Sequence, residues 1–147
     1  MIDAHRLEDY KEPYLVQLMY KNSDETRIIT DGNVSHTPPV EIFGPEPEHT
    51  WCYYYQKMTL ARQQSDWQTV AALADEALAQ DFKPLNRAEW LPVFEAYANT
   101  GRLKDANQIA KIIRGDKDLQ FILCQQDPPN YQNYNYDFIY SKLCENP

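Results

Sequence analysis

Few side chains in this sequence are spaced so that they could act together in catalysis or in metal binding. His49 and Cys52 form the only close histidine and cysteine pair, and three-residue spacing could put both on one side of a helical turn. His5 and His36 lie far away in sequence, and no second ligand pair accompanies the first. We therefore expect no metal site, and we interpret His49 as a first-turn histidine beside a buried cysteine.

Nucleophilic catalysis and phosphate binding also lack their usual patterns. A nucleophile needs a base and an orienting acid, yet the sequence has only three histidines and no nucleophile-elbow motif. Its four glycines are isolated, so there is no glycine-rich phosphate loop. Asp75 and Glu76 are adjacent, which separates them by roughly 100° around a helix and indicates a solvated face. The sequence predicts a protein that is not an enzyme and that uses no cofactor.

The net charge of the chain is acidic, and the acidity lies in the two ends. The 147 residues, enough for one domain, carry a formal charge of −8. Residues 1–50 contribute −6, residues 51–126 are neutral, and residues 127–147 contribute −2. This charge balance argues against binding to nucleic acids or anionic membranes, because both require clustered cations on the protein. No apolar run reaches about 18 residues, so we expect no direct membrane insertion of this chain.

The middle of the chain has helical periodicity. Five apolar stripes with helical spacing follow one another between residues 51 and 126. The turns beside them contain residues that cap or stop helices, namely Ser65, Asp66, Asn86, Gly101 and Asp116. Pro47 suits the first turn of the first helix, whereas Pro92 predicts that the third helix begins late or is bent. Prolines are frequent outside this region and predict largely irregular flanks.

These patterns predict an all-α fold with three segments. A helical domain over residues 47–126 follows an acidic, proline-containing arm over 1–46 and precedes a tail over 127–147 that is rich in tyrosine and asparagine. In the arm, residues 14–20 and 26–30 could close a small β-hairpin, but the first of these runs could equally form a short helix. In the tail, residues 136–143 could form a short helix on the domain or reach a neighbouring molecule.

Two helical hairpins of the middle region repeat with a period of 36 residues, because Asp66 and Arg102 hold the same place between helices. The second hairpin resembles the tetratricopeptide pattern at the four residues where that family has a large residue, an aromatic residue, a turn glycine and a small residue: Trp90, Tyr97, Gly101 and Ala106. The first hairpin departs from the pattern at Met58 and Ala61. The resemblance implies a helical-repeat fold, which the fifth helix and the flanks would cap.

A second resemblance is carried by residues 43–55, 62–67, 89–92 and 123–124. These stretches resemble the soluble C-terminal region of bacterial multi-spanning membrane proteins of the mannosyltransferase-like kind, which use polyprenyl-linked sugars. The resemblance covers residues 40–126 and implies a fragment or a separately encoded relative, associated with or tethered to a membrane-embedded portion. The transfer chemistry of that group lies in its membrane portion, so no catalytic residue carries over to this chain.

The resemblance to tetratricopeptide domains implies a peptide-binding face. One well-known version of such a face clamps a terminal carboxylate, but the corresponding positions here carry no positive charge: Tyr55, Thr59, Ala88 and Pro92. We therefore expect a protein or peptide partner bound without a carboxylate clamp. The candidate partner-binding residues are Tyr54, Tyr55, Thr59, Arg62 and Glu95. The alternative is a module that binds carbohydrate or lipid-linked sugar through surface tyrosines.

Tyrosine is the compositional outlier, with 11 copies. Four of them lie in the tail, at positions 131, 134, 136 and 140. We expect these rings to pack the flanks onto the helices; the alternative is a partner-binding patch, since tyrosine is favoured at contact surfaces.

Three cysteines are too few and too widely spaced for a disulfide framework. We expect Cys52, Cys124 and Cys144 to be reduced and buried. A bridge between Cys124 and Cys144 that ties down the tail is the alternative.

Overall fold

The computed structural model describes residues 13–21, 39–127 and 129–144. The chain divides into two compact units, Met1–Glu48 and His49–Pro147. All regular elements in the described residues are helices, so the predicted all-α class is confirmed. The strand candidate at residues 26–30 lies outside the described residues.

The first unit contains two helices, α1 (Tyr14–Lys21) and α2 (Val40–Phe43), in its described part. The apolar run that could have formed either a strand or a short helix is therefore helical. Helix α2 ends at Gly44, whose φ of +75° is a conformation that glycine adopts without steric cost. Neither helix has a buried residue among those whose side chains are described.

The second unit opens with two helices joined by a three-residue turn, α3 (Trp51–Gln63) and α4 (Trp67–Ala79). The Asp66 carboxylate caps α4, because it accepts hydrogen bonds from the Thr69 backbone N–H at 3.1 Å and from the Thr69 hydroxyl at 2.7 Å. Helix α3 begins after the extended residue Thr50, so Pro47 precedes the helix and does not form its first turn. The predicted apolar stripes of both helices are buried except at Tyr55 and Leu78, which are partly exposed.

Helix α5 (Leu91–Asn99) is the central element of the second unit, because each residue from Leu91 to Ala98 is buried. A 3₁₀ turn over Arg87–Trp90 precedes it, and Asn86 caps that turn by accepting from the Ala88 N–H at 3.1 Å. Pro92 lies in the first turn of α5, where a missing N–H breaks no helical hydrogen bond. The late start of this helix is thus confirmed.

Three further helices complete the unit: α6 (Leu103–Ile113), α7 (Lys117–Gln125) and α8 (Tyr136–Leu143). Gly101, with φ of +81°, separates α5 from α6, and Asp116 caps α7 by accepting from the Leu119 N–H at 3.0 Å. Helix α8 buries Ile139 and Leu143 and packs against α5, α6 and α7. The tail therefore joins the helical body. Of the two alternatives for residues 136–143, the structure contains the short helix on the domain, and this helix departs from the expectation of a largely irregular flank.

The prediction of reduced, buried cysteines was wrong for Cys124 and Cys144, and for Cys52 it was right about the free thiol but wrong about its burial. Cys124 and Cys144 form a disulfide with Cα atoms 5.6 Å apart, and Cys52 is a free, exposed thiol. The reason is tertiary: packing of α8 against α7 brings the ends of these two helices together, which sequence spacing does not reveal. The bridge that was the alternative is the one the structure contains.

The helices run in directions that long-range contacts define. Tyr54, near the start of α3, bonds to Glu76, near the end of α4, so these helices are antiparallel. Trp51, at the start of α3, donates to Glu89 in the 3₁₀ turn that precedes α5. Arg62, near the end of α3, contacts Glu95 within α5. Helices α3 and α5 therefore lie side by side and run the same way.

Among the described residues no helix combines the length and the apolar character needed to cross a bilayer. The longest helices have 13 residues, whereas a transmembrane helix needs about 20.

Candidate functional site

Arg62 of α3 and Glu95 of α5 form a buried ion pair. The guanidinium meets the carboxylate in a two-point contact, with Nε 2.5 Å from Oε2 and Nη2 3.0 Å from Oε1. Arg62 is 9% exposed and Glu95 1% exposed. Removing two charges from water costs free energy that the pair offsets only when its geometry is good and its other lone pairs are bonded. The hydrogen bonds that surround Glu95 therefore determine whether the buried pair is stable.

The tail provides the third partner of the ion pair. The Tyr134 hydroxyl donates to Glu95 Oε1 at 2.8 Å, so that oxygen accepts both from Arg62 and from Tyr134. Burial raises the pKa of Tyr134, and the negative charge and hydrogen bond of Glu95 raise it further, although Arg62 opposes them. The Tyr131 ring lies 5.4 Å from the Arg62 guanidinium carbon, within cation–π range.

Main-chain atoms of the tail are held by side chains of the helical body. Ser65 Oγ accepts from the Gln132 N–H at 3.1 Å, and the Trp67 indole N–H donates to the Gln132 carbonyl at 3.2 Å. Asn99 Oδ1 accepts from the Asn135 N–H at 2.6 Å. The same asparagine donates through Nδ2 to the Glu95 backbone carbonyl at 2.7 Å, which fixes the orientation of its amide.

The two tail tyrosines also form an aromatic cluster with Trp67. Its ring centroid lies 5.7 Å from that of Tyr131 and 5.9 Å from that of Tyr134, and the two tyrosine centroids are 5.9 Å apart. Such tilted and edge-on pairs add to the free energy of burying the rings. We call residues 131–135 the tail segment, and we call the side chains that contact it the tail-binding surface: Arg62, Ser65, Trp67, Glu95 and Asn99.

The tail segment is not extended, because it turns at Gln132 and Asn133. Asn133 has a φ of +53°, a left-handed conformation in which asparagine and glycine are favoured. The turn brings Tyr131 and Tyr134 together on the tail-binding surface, so that one ring meets Arg62 while the hydroxyl of the other reaches Glu95.

Of the five predicted partner-binding residues, the structure brings Arg62 and Glu95 together. Tyr54 is 2% exposed and lies elsewhere, since its hydroxyl donates to Glu76 at 2.8 Å and accepts from Gln80 at 2.7 Å. Tyr55 and Thr59 are partly exposed on α3, and the Thr59 hydroxyl donates to the Gln56 carbonyl.

Sequence analysis missed the residues that hold the tail backbone, Ser65, Trp67 and Asn99. Ser65 was recognised only as a turn residue and Trp67 only as part of an apolar helical stripe, and Asn99 was not recognised at all. One local signal was present, because Glu95 interrupts an otherwise apolar stretch of α5, and an acid at such a position requires a partner.

A second polar cluster joins α4 to the start of α6. Asp75 accepts from the Tyr97 hydroxyl at 2.7 Å and from Arg102 at 2.6 Å, and Arg102 also contacts Asp105 at 2.9 Å. Burial acts to raise the pKa of Asp75, but the hydrogen bonds from Arg102 and Tyr97 outweigh it and lower the pKa. Asp75 and Glu76 are both exposed, as predicted, yet each accepts a different tyrosine hydroxyl.

The described residues contain no group of three or more histidine, cysteine or acidic side chains that could hold a metal ion. The His49 ring is stacked on Tyr53, with centroids 3.5 Å apart and planes at 9°.

Comparison of the chain with protein-family models, with curated proteins and with solved structures finds no match in any of the three.

Proposed function

We propose that this chain is a non-catalytic protein-interaction domain that binds a short polypeptide segment on the tail-binding surface. The observation that carries the proposal is the way this surface holds the chain's own tail. It contacts main-chain N–H and C=O groups, which every polypeptide has, and adds contacts to two tyrosines. Main-chain hydrogen bonds together with a few side-chain contacts are how peptide-binding domains combine affinity with specificity.

The charge of the surface favours an uncharged ligand. Arg62 and Glu95 neutralise each other, so neither offers a net charge to a ligand's carboxylate or ammonium group. Glu95 can still accept a hydroxyl, and Arg62 still presents a face to an aromatic ring. The ligand chemistry that fits is therefore tyrosine with neutral neighbours, in line with the absence of positive charge at the positions of a carboxylate clamp.

We extend the proposal to architecture and setting. Helices α3 and α5 run the same way with α4 between them along the chain, and Trp90, Tyr97 and Ala106 are buried, which supports a tetratricopeptide-like arrangement. From the second resemblance we propose an accessory role beside a membrane-embedded glycosyltransferase-like protein, with tethering through an upstream portion. An immunoblot of fractionated native cells tests this: a membrane-bound band several-fold heavier than the 147-residue chain supports tethering, and a free band of its size contradicts it.

A peptide added in trans tests the binding function. The variant Tyr131→Ala/Tyr134→Ala removes the two tail contacts, and a fluorescent peptide with the sequence of residues 129–137 should then bind saturably. The matched control is the same peptide with alanine in place of both equivalent tyrosines, which should bind at least about tenfold more weakly because the aromatic and hydroxyl contacts are lost.

Two results would contradict the proposal: equal affinity of the variant for both peptides, or no binding of either peptide. Glycan-array binding by the wild-type chain that Tyr55→Ala abolishes would instead favour the carbohydrate-binding alternative.

A further inference from the structure

The disulfide closes a ring of the chain around the tail segment. Cys124 lies in the last turn of α7 and Cys144 follows α8, with a sequence separation of 20. Every tail residue that contacts the tail-binding surface lies within this ring: Tyr131, Gln132, Tyr134 and Asn135. The covalent bond therefore closes a ring that contains the segment covering Arg62 and Glu95.

The ring is anchored to the helical body near the disulfide. The buried Gln120 side chain of α7 donates to the Leu143 carbonyl at 2.6 Å, next to Cys144 in sequence. Ile139 and Leu143 of α8 are buried among α5, α6 and α7. These contacts hold the C-terminal part of the ring without a covalent bond, and the disulfide adds a covalent closure that reduces the conformational freedom of the chain between the two cysteines.

Closing the ring favours docking of the tail segment. A disulfide limits the conformations of the undocked chain, so less entropy is lost when the segment binds. A partner in trans has to displace a segment that is tethered at high effective concentration. The apparent affinity of this partner is low because the surface is open in only a small fraction of molecules.

We propose that the Cys124–Cys144 disulfide is a lock that keeps the tail-binding surface occupied by the chain's own tail segment, and that reduction opens this surface to a partner segment. The inference rests on the proposed function, because an open surface matters only if it binds polypeptide. It adds a regulation of that surface and a defined ligand: two tyrosines separated by a two-residue turn, as in residues 131–134, with asparagine or glycine at the turn position that Asn133 occupies.

The redox step involves a dithiol as reductant. One thiolate of the dithiol attacks a sulfur of the Cys124–Cys144 bond, which breaks and forms a mixed disulfide. The second thiolate of the dithiol then resolves it, so that the reductant leaves as a disulfide and two thiols remain on the protein. Two electrons and two protons are transferred in total. Both cysteines are partly exposed, which gives the attacking thiolate access.

The experiment uses the full chain and the labelled peptide with the sequence of residues 129–137. Thiol titration defines the two states, since the oxidised chain has Cys52 as its free thiol and the reduced chain adds Cys124 and Cys144. Peptide affinity should rise about tenfold or more on reduction by dithiothreitol, because the surface is open in a larger fraction of molecules.

Two variants separate the lock from other effects of the reductant. Cys52→Ser retains the disulfide and should respond to dithiothreitol as the wild-type chain does. Cys124→Ser/Cys144→Ser should bind as the reduced chain does and should not respond. Far-UV circular dichroism of the reduced chain should keep the helical signal of the oxidised chain; loss of that signal would overturn the lock, since the disulfide would then be needed for the fold itself.

The outcomes distinguish the lock from the function on which it rests. Equal peptide affinity before and after reduction, with binding retained by Tyr131→Ala/Tyr134→Ala, would overturn the lock and leave the proposed function intact. Binding by none of these chains, Tyr131→Ala/Tyr134→Ala included, would overturn both.

Discussion

Glu95 and Tyr134 are 39 residues apart in sequence, and the hydroxyl of Tyr134 donates to the Glu95 carboxylate at 2.8 Å. This contact links the buried ion pair between α3 and α5 to the tail that covers it. Glu95 Oε1 already accepts from Arg62, so the tyrosine completes the coordination of a carboxylate that has almost no access to water. The tail is therefore part of the environment that makes this ion pair tolerable.

Removing one partner of the ion pair should be strongly destabilising. Glu95→Ala leaves the Arg62 guanidinium buried without its carboxylate, which we expect to lower the free energy of unfolding by about 3–5 kcal/mol. The double variant Arg62→Met/Glu95→Leu replaces both charges by apolar groups of similar volume and should restore much of that loss. Urea denaturation checks both variants. A single variant that unfolds at the same urea concentration as the wild-type chain would contradict the buried pair.

The hydroxyl of Tyr134 should contribute a smaller, measurable amount. Tyr134→Phe keeps the ring against Trp67 but removes the hydrogen bond to Glu95, which should cost about 1–2 kcal/mol. Tyr140→Phe is the matched control, since that ring is 39% exposed on α8 and should change stability little. Equal effects of the two substitutions, measured by urea denaturation, would show that the Glu95 contact contributes nothing.

Alkaline pH should loosen the tail. The pKa of Tyr134 is raised in the folded chain, first by burial and then by Glu95, with Arg62 opposing and Tyr131 adding slightly. A raised tyrosine pKa means that its stabilisation is complete below the unfolded value near 10 and declines as pH rises above it. Tyr97 also has a raised pKa, so the contribution of Tyr134 is the difference from Tyr134→Phe.

Thermal unfolding measured between pH 8 and pH 11 gives that difference. The wild-type chain should lose more stability above pH 10 than Tyr134→Phe does. Parallel curves for the two chains would contradict the coupling between Tyr134 and Glu95.

The cap of α4 should act in the acidic range. Asp66→Ala removes the bonds to Thr69 and should cost about 1 kcal/mol, whereas Asp66→Ser retains a capping oxygen and most of the stability. The Thr69 hydroxyl and N–H lower the pKa of Asp66. The contribution is therefore complete above the unfolded pKa of about 4 and declines as pH falls through the lower folded value. Thermal unfolding at pH 7 and pH 3 should show a difference between wild type and Asp66→Ala that shrinks at pH 3.

Local signals made α3 to α7 predictable from the sequence. The apolar spacing identified the helical stripes, and Asp66 and Asp116 cap the helices that they were predicted to begin, whereas Asn86 caps the 3₁₀ turn before α5 and not the helix itself. The start of α3 was also misplaced, because proline at position 47 suits a helical first turn and equally suits the extended chain that precedes Thr50.

The contacts that build the tail-binding surface are long-range, and this is why the sequence did not predict them. Periodicity identifies which face of a helix is buried, but it does not identify what covers that face. Glu95 and Arg62 were candidate binding residues, yet Asn99 and Asn135 are 36 residues apart and meet only because α8 packs on the body. The same packing brings Cys124 and Cys144 together, which is why the sequence offered their bridge only as an alternative.

One resonance reports directly on whether the tail segment is a ligand of the surface that it covers. The Trp67 indole N–H donates to the Gln132 carbonyl, and the chain has two other tryptophans, Trp51 and Trp90, as internal references. In the ¹⁵N-labelled variant Tyr131→Ala/Tyr134→Ala, the chemical shift of the Trp67 indole N–H should change during titration with the residue 129–137 peptide and should saturate near its wild-type value. The indole shifts of Trp51 and Trp90 should not change. No movement of the Trp67 signal, or equal movement of all three indoles, would contradict the account.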